Sequence, residues 1–538
     1  MDPERPGKMA RMVDSHNTPT TQTSFFILDE RYKKTSFLIF DEEYKTSPPV
    51  CSNDKATHKV NVLPTLHPVC SIDNPRDPAY KVTASPHDNP YNLPRYRKWI
   101  VVVIVACGAL CTTSSASIAA PAEGGIKQEF NISDTLDIFA TLSIHAIGLG
   151  VGPLFAGPLS EVYGRSIIYR VSFLMFFAFS WPVAFAPNVA VYALFRFLTA
   201  FFGSAFLAVA GGTVSDMFPK EQVSSPMALF TLSPLLGPAV GSVLGGFINQ
   251  HANWRWSFHT ITIWTFVQLV AIFTLVPETY VPTIIRQKAE RLRRLTDNRK
   301  YWTEYDEKRK NLGREVVRSL YTPFLLLLLD RMALLLDTWT ALLLGTLYLA
   351  FEAFPLIFGG LHGFTMEQTG MTFIGIGLGS TLACASQPLW NRHFAKVREK
   401  HNGNPPPEVN LAPGKVGGVL VALSLFWVAI TSYSQDHWIA PVIGFVPFGA
   451  GIFWVFSSVF TYLVTAYRPI AASAMSANNA LRSVFASAFP LFASAMYSRL
   501  GPVGAMALIA SLATLMVPLP FVFSRIGARL RAKSRFAA

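Results

Sequence analysis

Four titratable side chains lie in stretches of sequence that are otherwise apolar: His145, Arg196, Asp337 and Glu352. A charge at the centre of a lipid-embedded helix costs ~2.5 kcal/mol or more, so each needs a reason to be there. A carboxyl withdrawn from water can take a proton from one side of a membrane and release it to the other. Asp337 and Glu352 are fifteen residues apart, which at 100° per residue leaves them about 60° out of register on a helix, so both can face one cavity. The alternative is that Asp337 marks one membrane surface and Glu352 the rim of the other. Arg196 tunes such a carboxylate, binds an acidic group, or snorkels to the nearer surface. His145 titrates in the physiological range, although a lone intramembrane histidine more often closes a helix-to-helix hydrogen bond. The sequence holds no phosphate-binding Gly loop ending in Lys-Ser or Lys-Thr, no nucleophile elbow and no metal-spaced His pair. The expectation is therefore a non-enzyme with no cofactor and no metal, powered by a proton gradient rather than by ATP.

Two further constellations bear on movement rather than titration. Gly157-Pro-Leu-Ser-Glu-Val-Tyr-Gly-Arg165 is a polar hinge between apolar runs at about 134–156 and 166–186, each about the ~20 residues that cross a bilayer. Glu161 ends one helix and Arg165 opens the next, so each opposes its own helix dipole by ~0.3–1 kcal/mol. Such charges suit other partners: a second helix N-terminus for Glu161, a carboxylate or carbonyl cluster for Arg165. With Gly157 and Gly164 lending a permissive backbone, the hinge reads as an inter-helix latch, or else as a solvated turn. The second constellation is Ser233-Pro-Leu-Leu-Gly-Pro-Ala-Val-Gly-Ser-Val-Leu-Gly-Gly246, where Gly237, Gly241 and Gly245 recur every fourth residue. They make one smooth face that a second helix can approach closely, and Pro238 lets the helix bend.

The hinge resembles the loop signature between helices 2 and 3 of the major facilitator superfamily. Glu in place of the commoner Asp, followed by Tyr-Gly-Arg, is similar to the fungal twelve-span drug:proton antiporter branch. Ser166 departs from it, since many members carry a second basic residue there. Asp88-Asn-Pro-Tyr-Asn-Leu-Pro-Arg-Tyr-Arg-Lys-Trp99 also resembles the branch, with Leu93 where a Trp is usual. So do Arg196-Phe-Leu198, Leu349-Ala-Phe-Glu-Ala-Phe-Pro355, Trp254-Arg-Trp256 and Ser476-Ala-Asn-Asn-Ala-Leu-Arg-Ser483, which offers Asn478, Asn479 and Arg482 to a cavity. The Gly-Pro run resembles the antiporter signature of exporters. What the resemblance implies is proton-coupled export of hydrophobic or amphipathic small molecules, with the hinge clamping the inner side. Pro469, after Arg468, opens a helix whose N-terminus is a candidate partner for Glu161. An importer of a sugar, polyamine or organic acid on the same fold remains an alternative, as does a membrane sensor.

These residues need twelve membrane helices to hold them. Of 538 residues, 51% are apolar and 15% charged, and the apolar runs are of spanning length with short polar breaks. Spans are expected near 99–120, 134–156, 166–186, 189–211, 226–248, 257–277, 334–357, 367–389, 414–434, 438–462, 470–496 and 503–524. That is an all-α membrane protein of two pseudo-symmetric six-helix bundles, the major facilitator fold, with a cavity at its midplane. The parts are a disordered tail (1–94), a first bundle (95–279), a basic central loop (280–321), a second bundle (322–524) and a basic tail (525–538). The net charge of +13 concentrates in breaks that all fall on one side, which positive-inside sorting explains without nucleic acid. A functional monomer in a plasma-membrane bilayer, both termini cytoplasmic, is the expected state. The five cysteines form no disulfide or metal pattern. Residues 23–34 and 35–46 are near-copies, read as a duplication or a docking motif. Asn131 opens a glycosylation sequon on the first outer loop, close enough to a span to be doubtful. Phe173, Phe176, Phe177, Phe201, Phe202, Trp427 and Trp454 line a cavity, face lipid or belt the interface.

Overall fold

The computed structural model describes residues 80–85, 88–219, 222–306, 312–402, 406–433, 435–467 and 470–534. Eleven stretches are long and apolar enough to cross a membrane, and the last, Ser473–Ala532, is double. Gly501, at φ 69° and ψ 168°, breaks it into two helices. The twelve spans are Arg95–Ser117 (span 1), Asp134–Tyr163 (2), Arg165–Ala184 (3), Val189–Met217 (4), Ser224–His251 (5), Arg255–Leu275 (6), Arg331–Phe354 (7), Met366–Lys400 (8), Ala412–Thr431 (9), Ile439–Ala466 (10), 471–500 (11) and 502–533 (12). Lipid offers no partner to backbone polar groups, so apolar runs of this length close their hydrogen bonds as helices. Their starts are capped in sequence: Asn188 accepts from Val191 N for span 4, and Asp330 from Met332 N and Ala333 N for span 7. Interior prolines free carbonyls that nearby hydroxyls take up, as Ser233 Oγ does by donating to the Phe230 carbonyl (2.9 Å).

Spans 1–6 and 7–12 form the two halves. They meet along two seams, span 2 against span 11 and span 5 against span 8. The span 5–8 seam is closed from end to end. At the face that carries both chain ends, Ser224 Oγ donates to Asn391 Oδ1 (2.7 Å). Midway, Gly370 packs on the Ser242 carbonyl and Gly377 on Ala239. At the opposite face Met366 N donates to Gln250 Oε1 (3.1 Å), and His251 Nε2 meets Glu367 Oε2 (2.9 Å). On the other seam Asn479 Nδ2 donates to the Leu149 carbonyl (2.9 Å) and Ser143 Oγ to that of Ser487 (2.7 Å).

Three expectations change. The hinge is mostly helix: span 2 continues through Pro158 to Tyr163, and the turn is Gly164 alone, at φ 100° and ψ 160°. Residues 80–85 and 88–94, expected as structureless tail, are instead docked on the central segment. Val82 N donates to the Trp302 carbonyl (3.0 Å), Trp302 N to that of Tyr80 (3.1 Å), and Lys288 Nζ pairs with Asp88 Oδ2 (2.6 Å). The basic central loop contains the helices Val281–Thr296 and Leu312–Leu329, the latter packed on both span 2 and span 11. The tail duplication at 23–46, together with Arg468 and Pro469, lies outside the described residues.

Candidate functional site

Around the hinge the geometry is built by Arg165. Its Nε donates to Asp216 Oδ2 (3.2 Å) at the end of span 4, its Nη1 to Ser160 Oγ (2.5 Å), and its guanidinium lies over the Tyr280 ring at 4.9 Å. Glu278, just past span 6, receives the backbone N–H of Arg165 (2.9 Å) and of Ser166 (3.2 Å), so a carboxylate sits on the positive end of span 3. The cation at that end is thus offset by two acids. A Cβ on Gly164 would lie 2.3 Å from Glu278 Oε2, and one on Gly212 2.8 Å from the Arg165 guanidinium, so the glycines are what let the cluster close. Arg286 Nη2 donates to the Val162 carbonyl (2.8 Å), tying in the central helix. Burial beside Glu161 pushes the Tyr280 phenol up.

Arg165 therefore has the carboxylate partners expected of it, and both belong to its own half. Glu161 stands apart from the cluster. It is exposed and makes no hydrogen bond or ion pair among the described residues, its projected partner at Pro469 lying outside them. Gly157 has open space where a Cβ would go, so it sets no close approach. Asp216 and Glu278 were missed by sequence reading, although each is a lone acid directly after an apolar run, the signal that would have found them.

A second group lies deep among the spans of the two halves. Asp337 is fully buried in span 7, where Asn478 Nδ2 of span 11 donates to its Oδ1 (2.9 Å) and to Thr340 Oγ1 (2.7 Å), while Asp337 Oδ2 has no partner. One turn along span 11, Arg482 Nη2 donates to Asn479 Oδ1 (2.8 Å), and its guanidinium lies 5.1 and 5.0 Å from the Phe456 and Phe460 rings. Arg196, 1% exposed, does not snorkel: Nη1 donates to the Ser115 carbonyl (2.9 Å) and Nη2 to that of Thr141 (2.8 Å), over the Phe258 ring. Its Nε is unpartnered, and so are both ring nitrogens of His145, which is fully buried against the same region. The backbones of Arg196 on span 4 and Thr112 on span 1 approach His145. Tyr348 of span 7 lies in the field of both Arg196 and Arg482, one from each half.

Glu352 does not join Asp337. It lies at the far end of span 7, its carboxyl within hydrogen-bonding reach of Glu123 and in the field of Asp137, both acids of the first half that sequence reading passed over. The glycine face meets span 1: Cβ atoms on Gly237 and Gly241 would lie 2.0 Å from Thr113 Oγ1 and Ser117 Oγ, and one on Gly245 2.7 Å from the Ile118 carbonyl. Pro238 is buried beside them, and the Gly237 carbonyl accepts from Ser117 Oγ (3.0 Å). Trp254 is packed inside the first half rather than belting an interface, whereas Trp256 is exposed. Phe173 and Phe176 are buried core and Trp427 faces outward. Asn131 is exposed at φ 50°. Cys107, Cys111 and Cys384 are unpaired, and among the described residues no group of His, Cys, Asp and Glu has a metal-binding arrangement.

The Major Facilitator Superfamily profile matches residues 105–490. Among curated proteins, "Efflux pump atB" of Aspergillus terreus is 45% identical over 395 residues, covering 72% of this chain and 83% of its own. "Probable drug/proton antiporter YHK8" of Saccharomyces cerevisiae is 36% identical over 456 residues, 84% and 88% of the two chains. The solved proton:xylose symporter XylE superposes with a TM-score of 0.56 at 14% identity, over 80% of this chain and 96% of the other, a likeness that speaks for the fold alone. Twelve spans in two halves, a cation clamped between spans 2 and 3, and these matches together make the chain a member of the Major Facilitator Superfamily.

Proposed function

We propose that this multi-pass membrane protein exports hydrophobic or amphipathic small molecules, drugs or secondary metabolites, in exchange for protons. The observation that carries the proton part is Asp337: a carboxyl fully buried between spans 7 and 11 of the second half, with no ion pair within 4 Å among the described residues and one oxygen without a hydrogen bond, beside Asn479 of span 11, which reaches the Leu149 carbonyl of the first half. A group so placed is neutralised by a proton more cheaply than by exposure, and moving the halves changes what it faces. Export as the direction is supported by the similarity to proteins named efflux pumps and drug/proton antiporters. Alternating access would rock the halves about the two seams, with the Arg165 cluster keeping the first half rigid on the terminal face. That face is assigned to the cytoplasm because the basic breaks fall there, and the reading takes the protein as a monomer of the plasma membrane.

The test is expression in yeast stripped of its own pumps, loaded with a panel of amphipathic dyes and azoles. The chain should speed loss of at least one compound, and a protonophore should stop it. Faster net uptake down an inward proton gradient would replace this reading with the importer.

A further inference from the structure

The face opposite the chain ends carries acids that no other contact explains. Glu123 opens the short helix Glu123–Phe130, which is fixed to the first half because Glu129 pairs with Arg255 Nη2 (2.6 Å) and accepts from Trp254 Nε1 (2.7 Å). Glu352 lies near the end of span 7 and travels with the second half. Their carboxyls meet across the gap between halves. Oε1 of each is shielded from solvent and receives no hydrogen bond, and among the described residues no Lys or Arg pairs with either. Two carboxylates in contact repel; the arrangement holds when one carries the proton that donates to the other.

We propose that Glu123 and Glu352 form a proton-held lock on the outer side of the transporter: one shared proton keeps the halves shut there, and its loss releases them. The surroundings favour a proton over a metal or a cation as the bridging partner. Asp137 of span 2, 3% exposed, accepts from Thr141 Oγ1 (3.2 Å). Tyr192 of span 4 is fully buried beside Asp137 and Glu123, its hydroxyl next to Thr141. Tyr497 of span 11 faces Glu352, its hydroxyl on the Met506 sulfur. Asp134 adds negative field and is paired with Lys127, the nearest mobile cation. Within the pocket Thr141 links the lock to the buried cation, since its carbonyl accepts from Arg196 (2.8 Å) while its hydroxyl serves Asp137. Opening the lock therefore disturbs Arg196. Exposed His251 and Glu367 also bridge the halves on this face, at the other seam.

The lock rests on the proton-exchange reading, for which it supplies the outer loading step, yet its test needs neither cargo nor gradient. Spin labels at Gly124→Cys and Gly360→Cys, both with open space around them, would be placed on the full-length chain, otherwise free of cysteine, in lipid nanodiscs. Pulsed electron–electron distances are then read from pH 5 to 8.5. A longer population should grow with pH, the closed-to-open ratio falling by at most tenfold per pH unit, the slope of one proton. The Glu123→Gln/Glu352→Gln pair, whose amides hydrogen-bond without a shared proton, should stay closed throughout, and His251→Gln should leave the response intact. A distance unchanged by pH in the parent, a response that survives the double substitution, or one that disappears with His251→Gln overturns the lock. Proton-driven export without a pH-dependent distance would remove the lock and leave the exporter standing.

Discussion

At the scale of single residues, the account turns on cations and acids that the chain withdraws from water and then pairs. Arg165 is the clearest: its guanidinium serves Asp216 and Ser160 while its backbone N–H serves Glu278. Arg165→Ala leaves Asp216 with no cation, and removing one partner of a largely buried pair should cost roughly 2–4 kcal/mol. The check is a lowered midpoint of thermal unfolding in detergent together with lost efflux at normal membrane level; normal efflux would reject the clamp. Arg165→Lys keeps charge but not the fork, and should recover only part of the loss. Arg196 and Asp337 stood out as charges inside apolar runs and Arg165 as a charge opposing its own helix dipole, but whether each is buried was left open by sequence. Their partners stood out less. Asp216, Glu278, Glu123 and Asp137 stand at span ends, where a sequence cannot separate a contact across helices from a solvated terminus. For Glu161 dipole mismatch shows only that a charge is unfavourable locally, not which group answers it.

At the scale of elements, small residues decide which helices approach. Gly241 admits Ser117 so closely that Gly241→Leu should push spans 1 and 5 apart and cost about 1–3 kcal/mol, seen as a lower unfolding midpoint. Gly124→Ala, in open space, should be within about 0.5 kcal/mol of the parent. The fourfold glycine spacing made a close face readable, but not its partner, which only packing selects. Each half ties the start of its third span to its sixth: the Arg165 backbone N–H at the start of span 3 meets Glu278 from the end of span 6 (2.9 Å), and before span 9 Glu408 meets Arg531 of span 12 (2.8 Å). The docked residues 80–85 and 88–94 add a pH-sensitive joint on the terminal face. The Lys288 ammonium and Ser85 hold Asp88 down at about 2, below its ordinary 3.8, so the joint has its full support above about pH 4 and loses it as pH falls through about 2. Protection of the amides of residues 80–85 and 88–94 against hydrogen exchange, relative to the intrinsic rate at each pH, should accordingly hold at neutral pH and fall in acid, and Asp88→Asn should lower it at neutral pH. Unaltered protection in that variant contradicts the joint. This docking was hidden from sequence because polar, Pro-rich composition describes segments that lack a core of their own, and these residues borrow one from Val281–Thr296, where Val82 packs with Ile285 and Ala289.

At the scale of the whole molecule, twelve spans in two halves were legible from run length alone, since the bilayer sets helix length. How the halves touch was not, because seams are chosen by side chains that periodicity does not order. The structure closes span 5 on span 8 along its length and brings Glu123 to Glu352 on the face away from the termini. A transporter in that posture must move its halves to pass a cargo, and Asp337, buried against the same span 11 whose Asn479 reaches span 2, gives protons a hold on the motion. The most direct measurement is proton flux in sealed vesicles carrying the purified chain and a compound it clears from cells, with the interior acid and the terminal face outward. The account predicts compound accumulation in the vesicles accompanied by alkalinisation of the lumen, both lost in Asp337→Asn. Accumulation at the same rate without a gradient, or only with the gradient reversed, would contradict it.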